Sequence, residues 1–297
     1  MSAEARDTEP AEAEFGRWVG VLGSVIAPAT LLSALLFYFG YVSSRAQYDY
    51  FGVDVDVIGL STQDYVGRSP QPLLVPLLVF VLLGAALVAL HAWLRHRSRR
   101  AGFRTALAVA IRAGLVVLGI GLVLLFAYPL IGGWAYYPLA TPLVLATGSA
   151  VVAYGLGTLR YLARVGRAGA GPPLGVVVLL WATVAASAFW ATATVAQWSG
   201  LGLAEQQARH LSTLPSVIVD TQERLFLPAA SHVDESALPA SAGSQKFHYR
   251  YFGLRLLIVG NNKIFLVPNA WSAGSTTLVL PLDGSSRLQF QFRNLAP

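Results

Sequence analysis

Residues Pro72–Arg100 read PLLVPLLVFVLLGAALVALHAWLRHRSRR. From Pro72 to Leu94 the run is uncharged and almost wholly apolar, and about 20 such residues suffice for a helix to cross the hydrocarbon core of a bilayer. It ends abruptly in Arg95, Arg97, Arg99 and Arg100. Arginines at the end of a span are retained on the cytoplasmic side, so this stretch predicts both a membrane helix and its direction.

Outward from it, four further runs have the same character: 18–42, 105–131, 138–159 and 174–198. Composition agrees, because only 12% of the 297 residues are charged, against about 25% in an ordinary soluble domain. The loops alternate. Arg104 adds to the cluster after the second span, and Arg160, Arg164 and Arg167 follow the fourth. The loop after the first span sets Arg45 and Arg68 against Asp49, Asp54, Asp56 and Asp64, and the turn at Gly132 and Gly133 is uncharged. The N-terminus is therefore expected in the cytoplasm and everything after Trp198 outside. Residues 1–17 read as a disordered cytoplasmic tail, and the first span, too long for a cleavable signal, as an uncleaved anchor.

After Trp198 the pattern changes to the period-two alternation of half-buried strands. In RLQFQFR, residues 287–293, Leu288, Phe290 and Phe292 are expected to face one way, with Asp283-Gly284 turning back to the strand TTLVLPL. A second hairpin is expected where KFHYRYFGLRLLIV and KIFLVP flank Gly260-Asn261-Asn262. Shorter strands are expected at 216–221 and 224–227, a flexible loop at 229–244, and 200–211 as an outward continuation of the fifth helix. The expected fold class is thus an α-helical membrane domain of five transmembrane helices, residues 18–199, plus a small C-terminal all-β extracytoplasmic domain, residues 200–297. A core of about five or six strands is marginal alone, so packing against the membrane domain or another subunit is expected to help it.

The first outside loop, YDYFGVDVDVIGLSTQDYVGRSP (48–70), together with YRYFGLRLLIV (249–259), KIFLVP (263–268) and Trp271, resembles a family of uncharacterised multi-pass membrane proteins from high-GC bacteria. The resemblance implies the architecture and no particular activity. Nineteen Arg against two Lys, with abundant Ala, Gly and Val, fit a high-GC genome, and the expected location is the plasma membrane of such a bacterium.

Three features are candidates for function. In the fifth span Thr183, Ser187, Thr194 and Gln197 recur at helical spacing, and Trp190 shares their stripe. Such a face suits a pore lining, since partly dehydrated ions need polar partners; the small residues around it equally suit close helix packing. Arg112 is the one charge inside a span, either a functional intramembrane charge or an arginine snorkelling to the inner interface. Asp49, Asp54, Asp56 and Asp64 form an outer vestibule or weak cation site, or are solvated loop charges.

Other chemistries lack support. The chain has no cysteine, and His91, His96, His210, His232 and His248 show no metal-ligand spacing. Walker, HExxH, GxSG and dinucleotide motifs are absent. No enzyme activity, metal or cofactor is expected; a lipid-linked-sugar transferase using the first outside loop is the minor alternative. The net charge of +6 does not imply nucleic acid, because the arginines sit beside the spans. Expected partners are the lipid bilayer, further copies in a homo-oligomer, and inorganic ions. The leading expectation is a homo-oligomeric ion channel or pore lined by the fifth helix. The alternative is a membrane-anchored binding or assembly protein whose outside β domain engages an envelope ligand through aromatics such as Tyr249, Tyr251 and Trp271.

Overall fold

The structure, a computed structural model, describes residues 9–97, 102–165, 172–227, 233–239, 245–272 and 274–291. Residues 1–8 of the expected tail, Arg99, Arg100, Arg167, Phe292, Arg293 and much of the expected loop 229–244 lie outside the described residues.

Five helices are long and apolar enough to span a membrane. They are α1 (Glu9–Asp49), α4 (Pro70–Arg97), α5 (Phe103–Phe126), α7 (Tyr137–Val165) and α8 (Leu174–Arg209); short helices α2 (Val55–Ile58), α3 (Thr62–Arg68) and α6 (Tyr128–Ile131) lie between them. Six strands form one antiparallel sheet: β1 (Ser216–Thr221), β2 (Asp234–Ala237), β3 (Tyr249–Gly260), β4 (Lys263–Pro268), β5 (Leu278–Pro281) and β6 (Ser286–Gln291). The chain is therefore a membrane protein with a helical part and a C-terminal β part.

It divides into two compact units, residues 72–199 and residues 1–71 with 200–297. The second joins the first helix and the loop after it to the sheet, a different division from the one read from the sequence, where that loop belongs to the membrane part.

In the sheet unit the loop after α1 is folded. Asp54 caps α2, its carboxylate accepting from the Asp56 amide at 2.9 Å, and Gly59 ends that helix at φ 68°. Ser61 and Asp64 form a reciprocal capping box at the start of α3. These contacts set Val55, Ile58 and Tyr65, all buried, against Ile258 of β3 and Phe265 of β4. On the other side of β4, Ile264 and Leu266 join Val217, Val219, Tyr251, Leu254 and Leu280 in the sheet's own core. β4 is thus apolar on both faces because both are covered, the pattern of a strand buried on its two sides. A third cluster joins Phe51, Ala204, Leu211 and Val267. The end of α8 is tied to α1 by a Gln47–Gln207 hydrogen bond of 2.8 Å, and Gly200 lies so close to the Ser43 backbone that no side chain fits there.

The sheet order is β5-β4-β3-β1-β6, with β2 sharing one edge of β3 with β4. The β3–β4 hairpin turns through Asn261 and Asn262 at φ 47° and 54°, as their tolerance of positive φ predicts. Three strand expectations need correction. The turn at Asp283 and Gly284 is real, with Ser285 N donating to the Asp283 carboxylate at 2.9 Å, but β5 and β6 pair with β4 and β1 at opposite ends of the sheet order and make no hairpin. Residues 224–227 form no strand, whereas Asp234–Ala237, inside the expected loop, does. Phe290 does not share the core with half-buried Leu288; it is 58% exposed, on an edge strand with only β1 beside it.

In the unit 72–199, α5 and α7 are the tightly packed pair. Gly114 and Gly121 of α5 meet Val151, Val152 and Leu145, and Gly148 of α7 meets the Leu118 backbone. The contact positions repeat at seven-residue intervals, the small-residue packing expected of helices in lipid. By contrast, α4 has a mean hydropathy of 3.0 over its span with its large side chains exposed, a surface suited to acyl chains.

Candidate functional site

The α8 stripe is used largely within the protein. Thr194 is 4% exposed, and its hydroxyl donates to Pro138 O of α7 at 3.0 Å and to Trp190 O at 3.2 Å. Thr183 donates to Leu179 O at 3.0 Å, which satisfies the hydroxyl one turn back along its own helix. Ser187 is buried, Trp190 half-buried, and Gln197 exposed. The buried hydroxyls that lack a partner among the described residues of the helices are on α7, Thr141 and Ser149. Sequence reasoning missed them because single hydroxyls in an apolar run make no stripe.

Arg112 lies within its span. Helix α5 continues after it only from Ala113 to Phe126, a rise of about 21 Å against a hydrocarbon core of about 30 Å. The apolar stretch to Ile131 that supported a purely interfacial arginine is broken at Ala127, where the separate helix α6 begins. The guanidinium is exposed on the chain's surface.

The four aspartates do not converge. Asp54 is a helix cap and Asp56 sits in the first turn behind it. Asp64 is committed to Ser61, whose hydroxyl and amide hold its carboxyl below the ordinary range. Asp49 faces Arg45 at 3.7 Å on the surface. Among the described residues no group of three His, Asp or Glu side chains could hold a metal ion.

What the sheet unit does build is a cleft of about 710 Å³ where the end of α1 meets the loop after β4. Its floor is Phe51, whose ring holds Trp271 edge-on at 5.0 Å and Tyr50 at 5.4 Å. Ser272, Ser275, Thr276 and Thr277 also line it, with Asp49 and Gly52. The hydroxyl wall is ordered by its own bonds: Ser272 N donates to Ser275 Oγ at 2.9 Å, and Thr277 Oγ1 donates to Phe51 O at 2.6 Å. Asp49 and Trp271 were singled out by sequence, but for separate reasons; their meeting depends on a contact between residues more than 200 positions apart. Of the other aromatics expected to make contacts, Tyr251 is fully buried and accepts from Leu225 N at 2.8 Å, and Tyr249 packs on the same core.

A second polar group in the unit is structural. Register places Asp220 of β1 opposite Arg250 of β3 on one side and Arg287 of β6 on the other. Its carboxylate is fully buried and receives Arg250 Nε at 2.7 Å and Arg287 Nε at 2.9 Å. The Arg250 hydrogen bond, then that of Arg287, holds its carboxyl below the ordinary range against the opposing effect of burial.

Fold and cleft together define a five-span membrane protein with a sheet unit that carries a concave polar and aromatic surface. Compared with protein-family models, curated proteins and solved structures, the chain matches none.

Proposed function

We propose that this chain is a membrane-anchored binding protein, whose five helices hold the sheet unit at the outer face of the membrane and whose cleft receives a hydroxyl-rich envelope ligand of the oligosaccharide class. The observation that carries this reading is the cleft. Its volume of about 710 Å³ falls in the range of about 300–1,000 Å³ typical of small-ligand sites. A half-buried Trp and a partly exposed Tyr braced on one Phe offer rigid apolar faces for the C–H side of a sugar ring. The hydroxyl wall and Asp49 offer donors and acceptors for ring hydroxyls. The arginines after the second and fourth spans favour the orientation that puts this unit outside.

The channel reading draws less from the geometry. It needs an unoccupied polar face on α8, and the hydroxyls of Thr183 and Thr194 donate within the chain.

The test is binding of fluorescently labelled envelope oligosaccharides to the full-length protein in nanodiscs, followed by anisotropy. Saturable binding that is lost in Trp271→Ala and weakened in Ser275→Ala supports the reading. Equal binding by the wild type and Trp271→Ala, or none across neutral and charged oligosaccharides, overturns it.

A further inference from the structure

A separate cavity of about 440 Å³ lies within the unit 72–199. It is an open cavity bordered by the C-terminal ends of α4 and α7 and the N-terminal ends of α5 and α8. Its walls are mainly apolar and aromatic, with Leu94, Phe103, Tyr161 and Trp181 prominent. One polar pair interrupts them: His91 Nδ1 and Tyr154 Oη lie 2.8 Å apart, with their rings edge to face.

Charge around this cavity is one-sided. From Pro72 to Ser199 the chain has nine arginines and no Asp, Glu or Lys. Three of the nine are immediate neighbours of lining residues: Arg95 follows Leu94, Arg104 follows Phe103, and Arg160 precedes Tyr161. Arg160 gives one donor to Pro172 O at 2.7 Å, a neutral acceptor that leaves its charge uncompensated. No carboxylate of this unit is available to neutralise these arginines, and a small anion would leave the apolar volume of the cavity unfilled.

We propose that the cavity is a binding site for one anionic phospholipid, an acyl chain between the four helices and the phosphate at Arg104 and Arg160. The chemistry matches on both counts. The apolar walls take a hydrocarbon chain without desolvating a polar group, and planar guanidiniums pair well with phosphate oxygens. The His91–Tyr154 pair sits where it can hydrogen-bond to a glycerol or ester oxygen. This inference is independent of the cleft in the sheet unit.

Native mass spectrometry of the full-length protein, exchanged into phosphatidylglycerol or phosphatidylcholine and delipidated stepwise, tests it. The wild type should retain one phosphatidylglycerol per chain in preference to phosphatidylcholine. Each arginine at an anionic lipid surface is worth about fivefold in affinity, so Arg104→Gln with Arg160→Gln should lower that preference about thirtyfold. Arg112→Gln, at an exposed arginine of α5 whose neighbours Ile111 and Ala113 do not line the cavity, should leave it unchanged. Gly157 lines the cavity, and a Cβ added there would meet nothing within 4 Å. Gly157→Leu should therefore fill the site without disturbing the helices and abolish retention of the bound lipid, a result that loss of surface charge cannot produce. Equal retention of the two lipids by the wild type, retention unaffected by Gly157→Leu in a variant with unchanged helix content, or equal effects of Arg112→Gln and the paired substitutions would overturn the proposal.

Discussion

Replacing Ile58 by alanine tests whether the loop after the first helix is part of the sheet's core or merely lies beside it. Ile58 is fully buried and packs in one cluster with Ile258 and Phe265. The substitution removes three carbons, worth about 2.4 kcal/mol at about 0.8 kcal/mol each. With the residual cavity, such truncations fall at about 2–5 kcal/mol, and about 3 is the expectation here because β4 and α2 enclose the site. At about 1.4 kcal/mol per factor of ten, backbone amides of β3 and β4 that exchange by opening of this unit should exchange about a hundredfold faster. Hydrogen–deuterium exchange mass spectrometry on the full chain in nanodiscs reads this directly, with α5 and α7 as internal references expected to stay unchanged. Unaltered protection in β3 and β4, or equal acceleration in α5 and α7, would refute the reasoning.

Asp220→Asn should destabilise the same unit by about 2–4 kcal/mol, toward the low end of the range for a broken buried pair because Arg250 and Arg287 are partly exposed; an unchanged denaturation midpoint for the sheet unit would contradict this. Because the folded carboxyl of Asp220 is depressed, its contribution is complete above the unfolded value of about 3.9 and is lost as pH falls through the folded value. Acid titration of stability should therefore be flatter below about pH 4 in Asp220→Asn than in the wild type. Gly148→Leu should force α5 and α7 apart, since even a Cβ would stand 2.5 Å from Leu118 N. A penalty of about 1–3 kcal/mol and a fall of several degrees in thermal midpoint are expected, whereas Gly119→Ala, whose Cβ would meet nothing within 4 Å, should be neutral.

The parts of this fold that were legible in the sequence are those set by local pattern. Uninterrupted apolar length marks the spans, Asn261-Asn262 marks the β3–β4 hairpin, and the alternation in RLQFQ marks β6 as a strand. The parts that were not legible depend on pairing at a distance. Asp283-Gly284 is a sound turn, but a turn does not say which strand the chain then joins, and β6 joins β1. The two short helices of the first loop were not legible because they are too brief for periodicity to show, although Ser61-x-x-Asp64 spaced the residues of a capping box. Helical spacing of the α8 hydroxyls cannot by itself separate a lining from a packed face, because the bond from Thr194 to Pro138 O depends on where α7 lies. The cleft was not legible because its lining residues 49–52 and 271–277 are brought together by long-range contacts such as the bond from Thr277 to Phe51 O.

The most direct test of the proposed binding function uses the absence of cysteine from the chain. Thr276 is exposed and lines the cleft, so Thr276→Cys supplies a single thiol there without background. In intact cells a membrane-impermeant maleimide should label it, and a saturating envelope oligosaccharide should slow that labelling. Labelling only after the membrane is permeabilised, or at a rate indifferent to every oligosaccharide offered, would contradict the account.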